Sequence, residues 1–87
     1  MNKFYYTYIL LSKKDNKLYT GFTTDLKRRF DDHCKGRVYS TKDRRPLDLI
    51  YYEACLTQED ATHREKYLKT YHGKMFLHNR LKSYLIG

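Results

Sequence analysis

Residues 4–12, FYYTYILLS, are aromatic and aliphatic throughout, the composition of a β-strand. The next four residues, KKDN, are polar turn material, and residues 17–20 resume an extended pattern. Together they predict a β-hairpin. With a loop of residues 13–16, Ser12 faces Lys17, Leu10 faces Tyr19 and Tyr8 faces Gly21. Tyr6, Tyr8, Leu10 and Tyr19 then share one face of the sheet. A slip of one residue would turn Tyr19 to the face away from Tyr8. Gly21 is expected to end the strand, as a bend or as a place where another backbone or a phosphate comes close.

The period changes after residue 22. Thr23 or Thr24 is the expected N-cap of a helix, with Asp25 in its first turn complementing the dipole. Leu26, Phe30 and Cys34 recur at i, i+4 and i+8, an apolar stripe for packing on a sheet. Arg29 and His33, also four apart, form a row at its edge, and Gly36 closes the helix. Residues 37–46, RVYSTKDRRP, read as a basic loop rich in hydroxyls, and residues 47–55, LDLIYYEAC, as a third strand with Pro46 at its start. Thr57 to Asp60 resembles a capping box with Asp in place of Glu or Gln. In the helix that follows, Ala61, Leu68 and Tyr71 form the apolar stripe, and Glu65 falls inside it. A carboxylate there needs a cation or a strong donor; the alternative is a drift of the stripe that leaves Glu65 at the rim, paired with an arginine. His72-Gly73 breaks the pattern, and residues 74–86 predict a last helix with Leu77, Leu81, Tyr84 and Leu85 on one face, flanked by Asn79 and Arg80. The order is β-β-α-β-α-α: an α/β (α+β) fold with a three-stranded antiparallel sheet flanked by helices.

Composition narrows the class. Eighty-seven residues predict one domain, residues 1–87, burying about 60% of its unfolded surface. Ten tyrosines and four phenylalanines supply large apolar area with hydroxyls that want partners. Eighteen basic against 10 acidic residues give a net charge of +8, a field that attracts polyanions, nucleic acid first among them. Cys34 and Cys55 lack metal-ligand spacing and read as free thiols of a reducing cytoplasm. The apolar run near the start is too short to span a bilayer and lacks a small-residue cleavage site, so no membrane association is expected.

Phosphate-binding glycine loops, H-E-x-x-H and G-x-S-x-G are absent from the sequence. Two hairpin tyrosines, an arginine and a histidine one helical turn apart, and an isolated glutamate remain. This set suits phosphodiester hydrolysis. A carboxylate can hold one divalent cation that polarises a phosphate oxygen, a guanidinium can grip the pentavalent phosphate, and a tyrosine or histidine can orient or deprotonate water.

In these residues the chain resembles the GIY-YIG nucleases. Tyr6-Thr7-Tyr8 stands where the family's first tripeptide falls, with tyrosine for the leading glycine, and Tyr19-Thr20-Gly21 stands at the second. Arg29, eight residues past that glycine, matches the catalytic arginine; His33 matches the histidine one turn later. Glu65, within REKYLK, matches the metal-binding glutamate, and Asn79 a late active-site asparagine. The stretch SxxxRRPLDLIYYE is similar to the compact single-domain members, and the whole chain to the catalytic domains of the excinuclease C protein and of the structure-specific endonuclease subunit. The resemblance implies a metal-dependent DNA endonuclease, structure-specific in repair or recombination, acting on branched or single-stranded DNA. It assigns one Mg²⁺ or Mn²⁺ to Glu65, phosphorane stabilisation to Arg29, and placing or deprotonating water to Tyr8 and Tyr19. His33 would assist proton transfer or hold the scissile phosphate. Lys27, Arg28, Arg37, Lys42, Arg44 and Arg45 are expected to track the DNA backbone without reading sequence. Two other classes stay open: a non-catalytic basic nucleic-acid-binding module, and a small basic partner of a larger protein. The nuclease reading makes a geometric demand, that Tyr8, Tyr19, Arg29 and Glu65 converge on one pocket.

Overall fold

The hairpin pattern forms as the loop length dictates. The structure is a computed structural model describing residues 3–86, so the ends of the expected domain at Met1, Asn2 and Gly87 lie outside the described residues. Strands β1 (Tyr5–Ser12) and β2 (Leu18–Thr23) pair antiparallel with Tyr8 opposite Gly21 and Leu10 opposite Tyr19, the register set by a four-residue loop. Asn16 closes that loop at φ 58°, a left-handed conformation that asparagine tolerates. Strand β3 (Leu47–Cys55) pairs antiparallel with the other side of β1, giving the order β2-β1-β3 with β2 at an edge. Between Ile9 and Leu10 the pairing jumps from Tyr51 to Leu49. This bulge lets neighbouring Ile50 and Tyr51 both pack against the same core.

Helices cover both faces. Helix α1 (Leu26–Cys34) lays Leu26 and Phe30 against Tyr8, Leu10, Leu47 and Tyr19. On the opposite face Ile9 packs with Leu68 of α2 (Gln58–Leu68) and Leu77 of α3 (Tyr71–Arg80), and a last turn, α4 (Lys82–Ile86), follows. Thr7 donates its hydroxyl to the Ala61 carbonyl at 2.7 Å, pinning α2 to β1. Arg64 grips Glu53 of β3 through two hydrogen bonds of 2.9 and 3.0 Å and lies 4.6 Å from the Phe76 ring centre, joining β3, α2 and α3. No described helix is long and apolar enough to cross a membrane.

Several local expectations are corrected. Asp25, not Thr23 or Thr24, caps α1, accepting from the Arg28 amide at 3.1 Å; its carboxylate meets the dipole from the cap itself. Thr23 instead holds the entry turn, accepting from the Asp25 amide. Cys34, placed on the apolar stripe of α1, is exposed, while Gly36 does close the helix, following the Lys35 cap with φ +74°. Gly21 lies inside β2 rather than at its end. What comes close is neither backbone nor phosphate but the ring of Tyr8, which a Cβ at position 21 would strike. The break between the later helices falls at Thr70, not His72-Gly73. Thr70 caps α3 by accepting from the Gly73 amide, and Gly73 sits in the first turn where a Cβ would collide with the Tyr67 carbonyl and Leu68 Cα. Tyr71 is therefore the first residue of α3 and 72% exposed, not part of the α2 stripe. Tyr84, expected on the last apolar face, is also exposed. The 74–86 helix divides at Leu81.

Candidate functional site

Tyr8 belongs to the central strand, and its side chain is 1% exposed. Because residue 21 has no side chain, the Tyr8 ring can lie across edge strand β2. Its hydroxyl meets His33 Nε2 at 2.8 Å, and His33 Nδ1 meets the Thr41 hydroxyl at 2.7 Å. His33 and Thr41 are both fully buried. Tyr19, on the same face, sets its ring centre 5.3 Å from His33 and 6.4 Å from Tyr8, both inclined. Its hydroxyl accepts from Ser40 at 3.5 Å. Two hydroxyls of the loop before β3 thus fasten a histidine and a tyrosine from other elements.

Charge enters this group from both layers. Arg29, one turn before His33 on α1, brings its guanidinium into polar contact with the Tyr8 hydroxyl, which raises the arginine's pKa. Burial lifts the Tyr8 hydroxyl above its ordinary value of 10; Arg29 opposes the rise, while the charges of Tyr19 and Glu65 add to it. Tyr8 is a phenol at neutral pH. Burial also pushes His33 down from 6.5 to about 4, with Arg29 adding to the fall, so the ring is neutral at pH 7. One of its nitrogens then donates and the other accepts. The chain Tyr8–His33–Thr41 is a fixed neutral relay beside a fixed cation.

Glu65 comes from α2 on the other face, and its charge acts on Tyr8 nonetheless. Its side chain is 21% exposed, and its carboxylate accepts from Lys69 at 3.2 Å, the residue one turn on. The partner at this rim is the lysine at the C-cap of the same helix rather than an arginine. Tyr8, Tyr19, Arg29 and His33 are brought together directly, whereas Glu65 stands on α2 across the sheet and makes its hydrogen bond to Lys69. Asn79 is exposed on α3 and makes no side-chain hydrogen bond among the described residues.

No three His, Cys, Asp or Glu residues gather among the described residues, so a metal held at Glu65 would have one protein carboxylate. A single carboxylate would fit a hard divalent ion, which keeps several waters and completes its shell with substrate phosphate. Of the expected backbone-tracking cations, Lys27 and Arg28 are exposed on α1. Arg37 pairs with Asp32 at 3.3 Å and Lys42 lies over the Tyr39 ring. Arg45 donates to the Lys42 carbonyl. Arg44 is held by Asp15 at 2.8 Å and donates to the Lys17 carbonyl, tying the loop to the hairpin turn.

Thr41 and Ser40 do not stand out along the sequence. Their only signal there is a pair of hydroxyls in a basic loop, and nothing local says that the loop folds back onto α1.

The sequence matches the model of the GIY-YIG catalytic domain over residues 4–82. It is 39% identical over 72 residues to a UPF0213 protein of Haloquadratum walsbyi, covering 82% of this chain and 80% of that one. A UPF0213 protein of Staphylococcus haemolyticus is 41% identical over 68 residues, covering 77% and 82%. The solution NMR structure of a UPF0213 protein from Bacillus halodurans superposes with a TM-score of 0.54 at 35% identity, over 85% of this chain and 81% of the other. It shares the three-stranded sheet and flanking helices. With the tripeptide tyrosines joined on one sheet face and the family model spanning the fold that joins them, the chain belongs to the GIY-YIG catalytic-domain family, a nuclease-type domain, and to its UPF0213 group.

Proposed function

We propose that this protein is a metal-dependent DNA endonuclease that hydrolyses phosphodiester bonds at the Tyr8–Arg29–Glu65 site. The observation that carries the reading is the buried group Tyr8–His33–Thr41 with Tyr19 packed on it, assembled from both tripeptide strands and α1 in a chain that matches the GIY-YIG catalytic domain. A divalent cation, Mg²⁺ or Mn²⁺, held at Glu65 would polarise a phosphate oxygen and offset the charge that develops there.

The chain's own groups divide the remaining work. Arg29 presents a planar fork to the phosphate and stabilises the pentavalent state. Tyr8 orients the attacking water, and its own proton has an acceptor in neutral His33 2.8 Å away. His33 is the better acceptor when its Nδ1–H donates to Thr41, which leaves Nε2 free for the tyrosine proton. Tyr19 packs on His33 and holds the wall of the site. Branched, flapped or single-stranded DNA in repair or recombination is the proposed substrate class, and two free thiols fit a cytoplasmic setting.

The test is a cleavage panel on branched, flapped, single-stranded and duplex DNA with Mg²⁺ or Mn²⁺. Cutting should require the metal, and Glu65→Ala or Arg29→Ala should each slow it by about 100-fold or more, the scale of losing one group that stabilises the transition state. Tight DNA binding with no cutting on any substrate would instead establish a non-catalytic binding module.

A further inference from the structure

A cleft of about 450 Å³ opens between β2, the end of α2 and α3, on the side of the sheet away from α1. Its volume falls within the range of about 300–1,000 Å³ typical of ligand sites. Lys17 of the hairpin, Lys69 of α2's cap and Lys74 and His78 of α3 line it, and no carboxylate does. Leu68 and Leu77, both nearly fully buried, form part of its floor. Tyr19 also belongs to the lining, although its ring packs on His33 on the α1 side, so the cleft and the candidate site share edge strand β2. Lys69 sits at the junction, lining the cleft while its ammonium holds Glu65 at 3.2 Å.

We propose that this cleft is a second subsite for the nucleic-acid backbone, taking phosphates on the far side of the scissile bond from the loop of residues 37–46. The inference rests on the nuclease reading and adds to it the path of the substrate across edge strand β2. Charge selects the occupant. Three lysines and a histidine without an acid among the lining attract a polyanion, and half-buried Leu18 and Tyr19 give apolar surface for a sugar or base edge between phosphates. Two of the cations here are free of the acid pairing that engages two arginines of the loop. Arg37 and Arg44 are engaged by Asp32 and Asp15, whereas among the described residues neither Lys17 nor Lys74 pairs with an acid. A phosphate meeting them displaces no internal partner.

The experiment measures binding of a fluorescein-labelled oligonucleotide, single-stranded and duplex, by anisotropy in EDTA across a KCl series. The variants are the double substitution Lys17→Ala/Lys74→Ala and, for comparison, Lys27→Ala/Arg28→Ala on α1. Each phosphate neutralised contributes about 0.7–0.9 to the slope of log affinity against log salt. The Lys17/Lys74 pair should therefore flatten the slope by about 1.5 and weaken binding several-fold at low salt. Both lysines are exposed and outside the Tyr8 cluster, and an unchanged circular dichroism spectrum verifies the fold. Wild-type binding with an unchanged slope in this variant overturns the cleft alone. Absence of salt-dependent binding by the wild type overturns the nuclease reading, and the cleft with it.

Discussion

At neutral pH His33 carries no charge, because burial and the Arg29 guanidinium hold its pKa at about 4 against an ordinary 6.5. The folded-state value is the lower one, so the unfolded chain takes up the proton first as the solution is acidified. Stability contributed by the neutral ring is complete above pH 6.5 and falls until the folded protein also protonates near pH 4. Between pH 7 and 5 the loss should be about 2 kcal/mol, read by urea unfolding at the two values. His33→Gln should flatten that interval. Asp15, which Arg44 holds at about 2, titrates below the window and leaves its ion pair intact through it. A His33 ring that titrates near 6.5 by NMR, identified by loss of its signal in His33→Gln, would contradict the neutral relay. Lys69 makes a second residue-scale case. Its ammonium occupies the carboxylate proposed to hold the divalent ion, so Lys69→Ala should tighten Mn²⁺ binding by about two- to five-fold, the worth of a partly exposed ion pair. Calorimetric titration of the protein without DNA reads this directly, with Glu65→Ala as the variant that loses the binding. Weaker binding in Lys69→Ala would mean that the lysine holds Glu65 in place for the metal rather than competing with it.

Among the elements, the two sterically required glycines separate stability from function. A Cβ at position 21 strikes the Tyr8 ring, and one at position 73 strikes the backbone of α2. Gly21→Ala should cost about 1–3 kcal/mol by overpacking and, by pushing the Tyr8 hydroxyl off His33, reduce cleavage beyond what lost folding explains. Gly73→Ala should destabilise at least as much, because backbone cannot rotate away, yet leave the per-molecule rate of the folded fraction unchanged. Equal rate losses in the two variants would remove the special role given to the Tyr8–Gly21 crossing. The same glycines mark how far the sequence can be read. Strand register follows from a four-residue loop and the two-residue period, so the pattern alone places Tyr8 and Tyr19 on one face. Helix starts are less legible: Asp25, Thr23 and Thr24 are all competent caps, and tertiary packing chooses among them. Gly21 reads as a strand end because its real reason, a ring from the neighbouring strand, is a contact thirteen residues away. Thr41 is invisible for the same cause: its partner is a histidine on a helix that the loop reaches only in the fold.

At the scale of the whole molecule, one three-stranded sheet serves two small cores. Tyr8, Leu10 and Leu47 meet α1 on one face, and Ile9, Leu68 and Leu77 meet α2 and α3 on the other. The proposed site draws on both faces, because Arg29 belongs to the first layer and Glu65 to the second. Neither core can be lost without the other, since β1 supplies both through alternate residues. A domain of this length is stable by about 4–13 kcal/mol at typical values per residue. Leu77→Ala, at 1% exposure, should remove about 2–5 kcal/mol, a large share of the total, although the residue lies on the face away from Tyr8. Its urea unfolding should remain a single transition, shifted to lower denaturant, with tyrosine fluorescence and far-ultraviolet circular dichroism coincident. Cleavage should disappear over that same transition. If instead the helices of the second face melted first while the tyrosine signal held, Tyr8, Arg29 and His33 would stand without Glu65. The site would then depend on docking of α2 rather than on one cooperative fold.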